Sequence, residues 1–210
     1  MSNYIPDGHI LCENCYKFFV SYTPLIFEID ADVKEDLMND VQKGIINRVK
    51  CPYCNTEFTY EASVFIFSNC DKFVITSAYP DAFMNVGDFS LAAKISKMDG
   101  WRFRRCQFFM DAAEKIRIFR SGLDDAKINL LKLKCFENYK SMELDDQYIT
   151  FEYIKDNLFF FTHRDFTDRV LKELYVEKCD YDAFEFKPLK TGDWITVDRD
   201  WTINYLEENK

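Results

Sequence analysis

The stretch Val49-Lys50-Cys51-Pro52-Tyr53-Cys54-Asn55-Thr56-Glu57-Phe58 decides how the chain is read. Two cysteines with two residues between them form either a reactive dithiol or one knuckle of a metal site, and Cys51 to Cys54 taken alone fits both. The surroundings separate the two. A reactive pair sits where a strand gives way to a helix, whose N-terminus lowers the thiol pKa. Cys54 is instead followed by NTEFTYEASVFIF, a strand pattern of aromatic and β-branched residues. Upstream stands a second pair, Cys12-Glu13-Asn14-Cys15. A disulfide reductase has no use for that pair, whereas two such turns brought together supply four thiolates in a tetrahedron, which suits a structural zinc ion.

The reading is therefore a zinc site with Cys12, Cys15, Cys51 and Cys54 as ligands. The chain also lacks the Thr-Val-Pro segment that glutaredoxins place beside their dithiol. Iron sites of the rubredoxin kind favour Gly after each pair, where Tyr16 and Asn55 stand here. His9, three residues before Cys12, is not needed when four cysteines are available, and it reads as an exposed side chain.

Working outward, residues 10–20 read as a short hairpin around the first knuckle, and residues 24–29 as another extended piece. Val33, Leu37, Val41 and Ile45 recur at four-residue steps, one face of a helix that Asp30 or Asp32 can cap and Gly44 ends. Glu57 to Phe67 and Phe73 to Ala78 suit strands. These segments make a zinc-ribbon-like antiparallel β module with an inserted helix, residues 1–84. Residues 85–210 read as an α+β region packed against it. In that region Phe108, Ala112, Ile116 and Phe119 form a helical stripe that stops at Gly122. Asp124 offers a cap for a second helix carrying Ile128, Leu131, Cys135 and Tyr139. Gln147 to Ile154 and Leu158 to Thr162 read as strands joined at Lys155-Asp156-Asn157. The segment FTDRVLKELY reads as helix, and the terminal residues as a strand, Trp194 to Val197, with a short closing helix. No internal repeat is evident. The fold class is α+β with antiparallel pairing.

Composition narrows the function classes. Phe occurs 21 times and Tyr 12 times, which predicts an aromatic-rich interior, and only 6 Gly and 5 Pro argue against disorder. The net charge of −9 disfavours non-specific binding to nucleic acid or an anionic membrane. The apolar runs are strand-sized and the N-terminus shows no basic region followed by an apolar stretch, so the expectation is a soluble, cytoplasmic protein. Eight cysteines in that setting are thiols or metal ligands. The four unpaired ones, Cys70, Cys106, Cys135 and Cys179, read as buried small hydrophobes. Charge is uneven: residues 1–86 carry 6 Lys+Arg against 12 Asp+Glu, while residues 99–140 carry 10 against 6. Arg102, Arg104, Arg105, Lys115, Arg117, Arg120, Lys132 and Lys134 read chiefly as the solvated faces of two amphipathic helices, with an acidic partner or nucleic acid as the sharper alternative. His163 with Asp165 is the one acid–base candidate, and no nucleophile stands near it. No phosphate-binding loop, dinucleotide fingerprint, metalloprotease motif or nucleophile elbow is present. The expected role is non-enzymatic: a scaffold or adaptor for an unidentified protein partner. Nucleic-acid binding through residues 99–140 and thiol chemistry at Cys51 and Cys54 are the alternatives.

The two cysteine pairs, the helix between them and the downstream text together resemble the CpXC family of bacterial and archaeal proteins, named for two such motifs. The matching stretches are Leu11 to Phe18, Lys50 to Phe58, EKIRIFRSGLDDAKINLLKLK and the terminal WITVDRDW. The first pair has Glu13 where the family name implies Pro. What the resemblance implies is Cys12, Cys15, Cys51 and Cys54 as metal ligands, and no reaction.

Overall fold

A computed structural model describes residues 8–21, 26–30, 40, 48–59, 64–77, 100–106, 109–139, 149–164, 169–185, 189 and 194–209. The chain divides into two compact units, Met1–Ala113 with Thr191–Trp194, and Glu114–Lys190 with Ile195–Lys210. The boundary expected at residue 84 lies outside the described residues. So does the helix expected between the knuckles, apart from Asp40, which is helical.

The first unit holds two small antiparallel hairpins and one larger sheet. β1 (Gly8–Leu11) pairs with β2 (Phe18–Ser21), and β4 (Arg48–Lys50) pairs with β5 (Glu57–Thr59). The larger sheet has the order β12-β8-β7-β6-β3, from β3 (Ile26–Glu28), β6 (Val64–Ser68), β7 (Phe73–Ser77), β8 (Arg102–Cys106) and β12 (Trp194–Ile195). β6 is buried at every position, which fits its near-continuous apolar text. The β6–β7 pair is antiparallel, joined as a hairpin. β3 runs parallel to β6 and β7 parallel to β8, so the sheet is mixed, which the sequence reading did not anticipate. The parallel neighbours are separated by long connections, and strand alternation carries no information about which distant strand lies alongside. Phe65, Phe67, Val74, Trp101 and Phe103 form the core of this sheet, with Trp194 packed 5.2 Å from the Phe103 ring.

Asp30 does a job at the sheet end. Its carboxylate accepts from the Ser68 hydroxyl at 2.7 Å and from the N–H groups of Asn69 and Cys70 at 3.2 Å each, which ties the β6–β7 turn down. Burial works against its charge, yet these donors prevail and hold it below the usual carboxylate range.

In the second unit α1 (Phe109–Arg120, its first turns in the first unit) is followed by α2 (Asp125–Asn138). Leu123 N–H bonds to Ile118 O and Gly122 N–H to Phe119 O, a Schellman cap in which Gly122 takes φ 69°. Asp124 then accepts from the N–H groups of Ala126 and Lys127 and starts α2, as the sequence suggests. β9 (Ile149–Lys155), β10 (Leu158–Arg164) and β11 (Val170–Glu177) form an antiparallel sheet of order β11-β10-β9. The β9–β10 turn is Asp156-Asn157 with φ of 50° and 61°, the mirror-image turn that matches strand twist. α3 (Lys178–Ala183) and α4 (Arg199–Glu208) complete the unit.

The described part of FTDRVLKELY is not a helix. Residues 170–177 are strand β11, paired along their length with β10. Leu174 and Val176 are buried and their neighbours exposed, a period of two. The helical text was misleading because Leu, Lys and Glu favour helix locally, and tertiary pairing overrode that preference.

Candidate metal centre

Each cysteine pair caps one of the small hairpins, and the two caps are built alike. In the first, Cys12 N–H donates to Lys17 O at 3.1 Å and Tyr16 N–H to Cys12 O at 2.8 Å. In the second, Cys51 N–H donates to Thr56 O at 2.9 Å and Asn55 N–H to Cys51 O at 2.9 Å. The residue after each pair takes the same left-handed conformation, Tyr16 at φ 56° and Asn55 at φ 59°. Asn is at ease there, and Tyr is held there by the turn's hydrogen bonds.

The likeness extends into the strands. Ile10 and Val49 stand two residues before their pairs, and Phe19 and Phe58 four residues after. Ile10, Phe19 and Val49 are buried in one cluster with Cys12 and Cys51, and Phe58, Cys15 and Cys54 pack on it. The Phe19 and Phe58 rings meet edge to face at 6.3 Å. Residues 10–20 and 49–59 are thus a short internal repeat, which corrects the expectation of none. The repeat is faint in the sequence because only the cysteines and these apolar positions recur between ILCENCYKFFV and VKCPYCNTEFT.

The repeat brings four sulfurs to one point. The Sγ atoms of Cys12, Cys15, Cys51 and Cys54 all lie within 4.8 Å of one another. Cys12 and Cys54 are 3.5 Å apart, and Cys15 and Cys51 are 3.7 Å apart. A tetrahedral ion with metal–sulfur bonds of about 2.3 Å has ligand atoms roughly 3.8 Å apart, so the spacing fits. Cys12 and Cys51 are fully buried, and Cys15 and Cys54 partly so.

Polar contacts support the sulfurs. Asn14 Nδ2 donates to Thr56 Oγ1 at 3.0 Å, which joins the two caps. Thr56 Oγ1 lies 3.3 Å from Cys54 Sγ, and Tyr53 N–H points at Cys51 Sγ at 3.4 Å. The hydroxyl and N–H of Thr56, with Asn14, pull the Cys54 thiol down to about 5, whereas burial, aided by neighbouring thiols, pushes Cys15 up to about 12. Lys17 Nζ sits 5.0 Å from the Tyr53 ring centre and makes a further link between the caps.

The other candidates fall elsewhere. Cys106 and Cys135 are buried as expected, and burial pushes the Cys135 thiol up to about 12. Cys70 and Cys179 are exposed, contrary to expectation. Cys70 lies in the β6–β7 turn, and Cys179 is the second residue of α3, where its thiol donates to Glu177 at 3.3 Å. His163 is buried in β10 and Asp165 lies outside the described residues, as does the side chain of His9.

Most of the basic residues are not a solvated helical face, although Arg120, at the end of α1, is exposed. Arg102, Arg104 and Arg105 belong to strand β8, with Arg104 buried. Lys115 is buried, pairs with Asp125 at 3.0 Å and donates to Val197 O at 2.5 Å. Lys132 pairs with buried Glu114 at 2.5 Å, Arg117 donates to Phe151 O at 3.1 Å, and Lys134 pairs with Asp180. The error came from reading Lys and Arg as surface residues when their partners stand on distant segments. Among the described residues, no helix is long and apolar enough to cross a membrane.

No curated protein and no solved structure matches the chain. The profile of one family, described as CpXC protein, matches residues 10–132, which takes in both cysteine pairs, four of the five strands of the larger sheet and most of α2 but stops short of WITVDRDW, where β12 lies. That is more than half of the chain, and it includes the four cysteines whose sulfurs meet: the chain belongs to the CpXC family.

Proposed function

We propose that Cys12, Cys15, Cys51 and Cys54 hold one structural zinc ion, and that the protein is a non-enzymatic adaptor that presents a surface to a protein partner. The observation that carries this is the convergence of four sulfurs from two equivalent turns, within 4.8 Å of one another. An all-thiolate tetrahedral set favours zinc, and it leaves no ligand position for water or substrate, the mark of a structural site rather than a catalytic one. When bound, the ion cross-links the hairpins and contributes folding energy to a core too small to hold them alone. Cys12 and Cys51 anchor it from the buried side, Thr56 and Asn14 brace it from the other. The geometry gives little support to dithiol exchange at Cys51 and Cys54, because Cys51 is fully buried and the pair leads into strand β5, not a helix N-terminus. The reading of residues 99–140 as a nucleic-acid surface finds Lys115, Lys132 and Lys134 already engaged with carboxylates.

X-ray absorption at the zinc edge tests the site: four sulfur neighbours at about 2.3 Å are expected. A shell containing nitrogen or oxygen contradicts a closed four-cysteine site. For the adaptor role, the zinc-loaded chain captured by cross-linking in its native host should yield a stoichiometric protein partner. Recovery of the chain alone, or turnover of a small substrate, contradicts it.

A further inference from the structure

Alternation along β11 buries Leu174 and Val176 and leaves Glu173, Tyr175 and Glu177 exposed on the opposite face of the sheet, while Leu171 is exposed at the bulge. The register sets Tyr175 beside Phe160, and Phe160 beside Tyr153, so three aromatic rings lie in one row across three strands. Tyr153 and Phe160 stack at 4.7 Å and 19°. Tyr139, at the end of α2, stands edge-on to Tyr175 at 6.4 Å. This row is not covered: Tyr153 is 46% and Tyr175 54% exposed.

Charge beside the row has a sign. Glu173 and Glu177 flank Tyr175 two positions to either side, and against these two carboxylates the same register sets one lysine, Lys155, across Leu158 from Glu177. On β10, Arg164 is already engaged by Glu152 at 2.7 Å. The face of an aromatic ring is electron-rich and attracts cations, and it does so more strongly with carboxylates alongside. An apolar partner satisfies the rings and leaves two glutamates to be desolvated at a cost. A segment bearing guanidinium or ammonium groups satisfies both. A second copy of the chain does not fit, because each copy carries −9 and like charges oppose their approach. A row of three strands spans only about 10 Å, which matches three or four residues of an extended peptide and is well below the area of a stable dimer interface.

We propose that this face docks a short Arg- or Lys-bearing segment of a partner protein, with a cation over the Tyr153 and Tyr175 rings and within reach of Glu173 and Glu177. The proposal rests on the adaptor reading and supplies the chemistry of its partner.

The test uses the intact zinc-loaded chain and a fluorescent eight-residue peptide of alternating Arg and Val, with anisotropy as the readout at two salt concentrations. Binding is expected, and it should weaken at least tenfold in the pair Tyr153→Thr with Tyr175→Thr, and likewise in Glu173→Gln with Glu177→Gln. The threonines keep strand propensity, and circular dichroism with zinc content confirms that each variant is folded. Absence of binding, equal binding by these variants, or equally tight binding of a Gln-Val peptide overturns the proposal. A cross-linked partner retained equally by wild type and variants leaves the adaptor standing and overturns this face. Peptide binding with no partner captured overturns the adaptor reading instead.

Discussion

Thr56 is where a single side chain bears most on the candidate metal centre without being a ligand. Its hydroxyl oxygen accepts from Asn14 and from the Cys54 thiol, and once that sulfur is ionised by a metal the Thr56 O–H is placed to donate to it. Partners of this kind typically change metal affinity 10- to 100-fold. Thr56→Val should therefore weaken zinc binding by about that factor, measured by competition with a chelating dye, while stoichiometry at saturation is unchanged. An unchanged affinity contradicts the role given to the hydroxyl. In the second unit the corresponding residue is Glu114, buried, paired with Lys132 and accepting from Phe151 N–H at 2.6 Å. Burial alone raises a carboxyl pKa, but Lys132, Lys115 and the Phe151 N–H outweigh it and hold Glu114 below its usual range. Its charged form is thus stabilised by folding. Glu114→Gln strands Lys132 and should cost about 3 kcal/mol at neutral pH in chemical denaturation. That difference is fully present above the unfolded pKa of about 4.3 and should shrink as pH falls through the lower native value. A difference that grows on acidification contradicts the assignment.

At the scale of elements, the readable ones announced themselves by local chemistry. Gly122 and Asp124 mark the α1–α2 junction because the Schellman cap and the N-cap are satisfied within a few residues. The hairpin turn at Asp156-Asn157 is equally local. β11 was not legible, since Leu, Lys and Glu favour helix and the pairing that overrides them comes from β10. Helix and strand bury different residues of this segment, which makes the difference measurable. Leu174→Ala should cost about 2–5 kcal/mol, and Leu171→Ala about 0.5 kcal/mol or less, by denaturant unfolding. Equal costs contradict the strand, because Leu171 and Leu174 share one face only in a helix. The four-cysteine cluster was legible for the opposite reason: two residues between cysteines fixes a turn whatever the rest of the chain does. Its supports, Ile10, Phe19, Val49 and Phe58, carry a signal of equal spacing around each pair, visible only when the two segments are aligned.

Over the whole molecule, charge was the least legible property. Lys115 and Lys132 meet carboxylates on α1 and α2, so a basic stretch of sequence becomes a neutralised interior. Within the first unit the hairpin cluster is built around Cys12 and Cys51, whereas the cluster of the larger sheet contains no cysteine. In zinc-finger peptides the metal contributes an apparent ~10–16 kcal/mol at neutral pH, more than the total stability of a typical domain. Chelation should therefore raise hydrogen exchange in residues 8–21 and 48–59 to the unfolded rate while β9, β10 and α2 stay protected. Protection that persists in both hairpins after the metal is gone contradicts a structural ion.

The most direct measurement is elemental analysis of purified wild type beside single Cys→Ser variants. One zinc per chain is expected in wild type and in the variants at Cys70, Cys106, Cys135 and Cys179. Loss of that zinc is expected at Cys12, Cys15, Cys51 or Cys54, since each sulfur is one corner of the tetrahedron. Full zinc in a Cys12→Ser, Cys51→Ser double variant contradicts the account, because the ion is then held elsewhere.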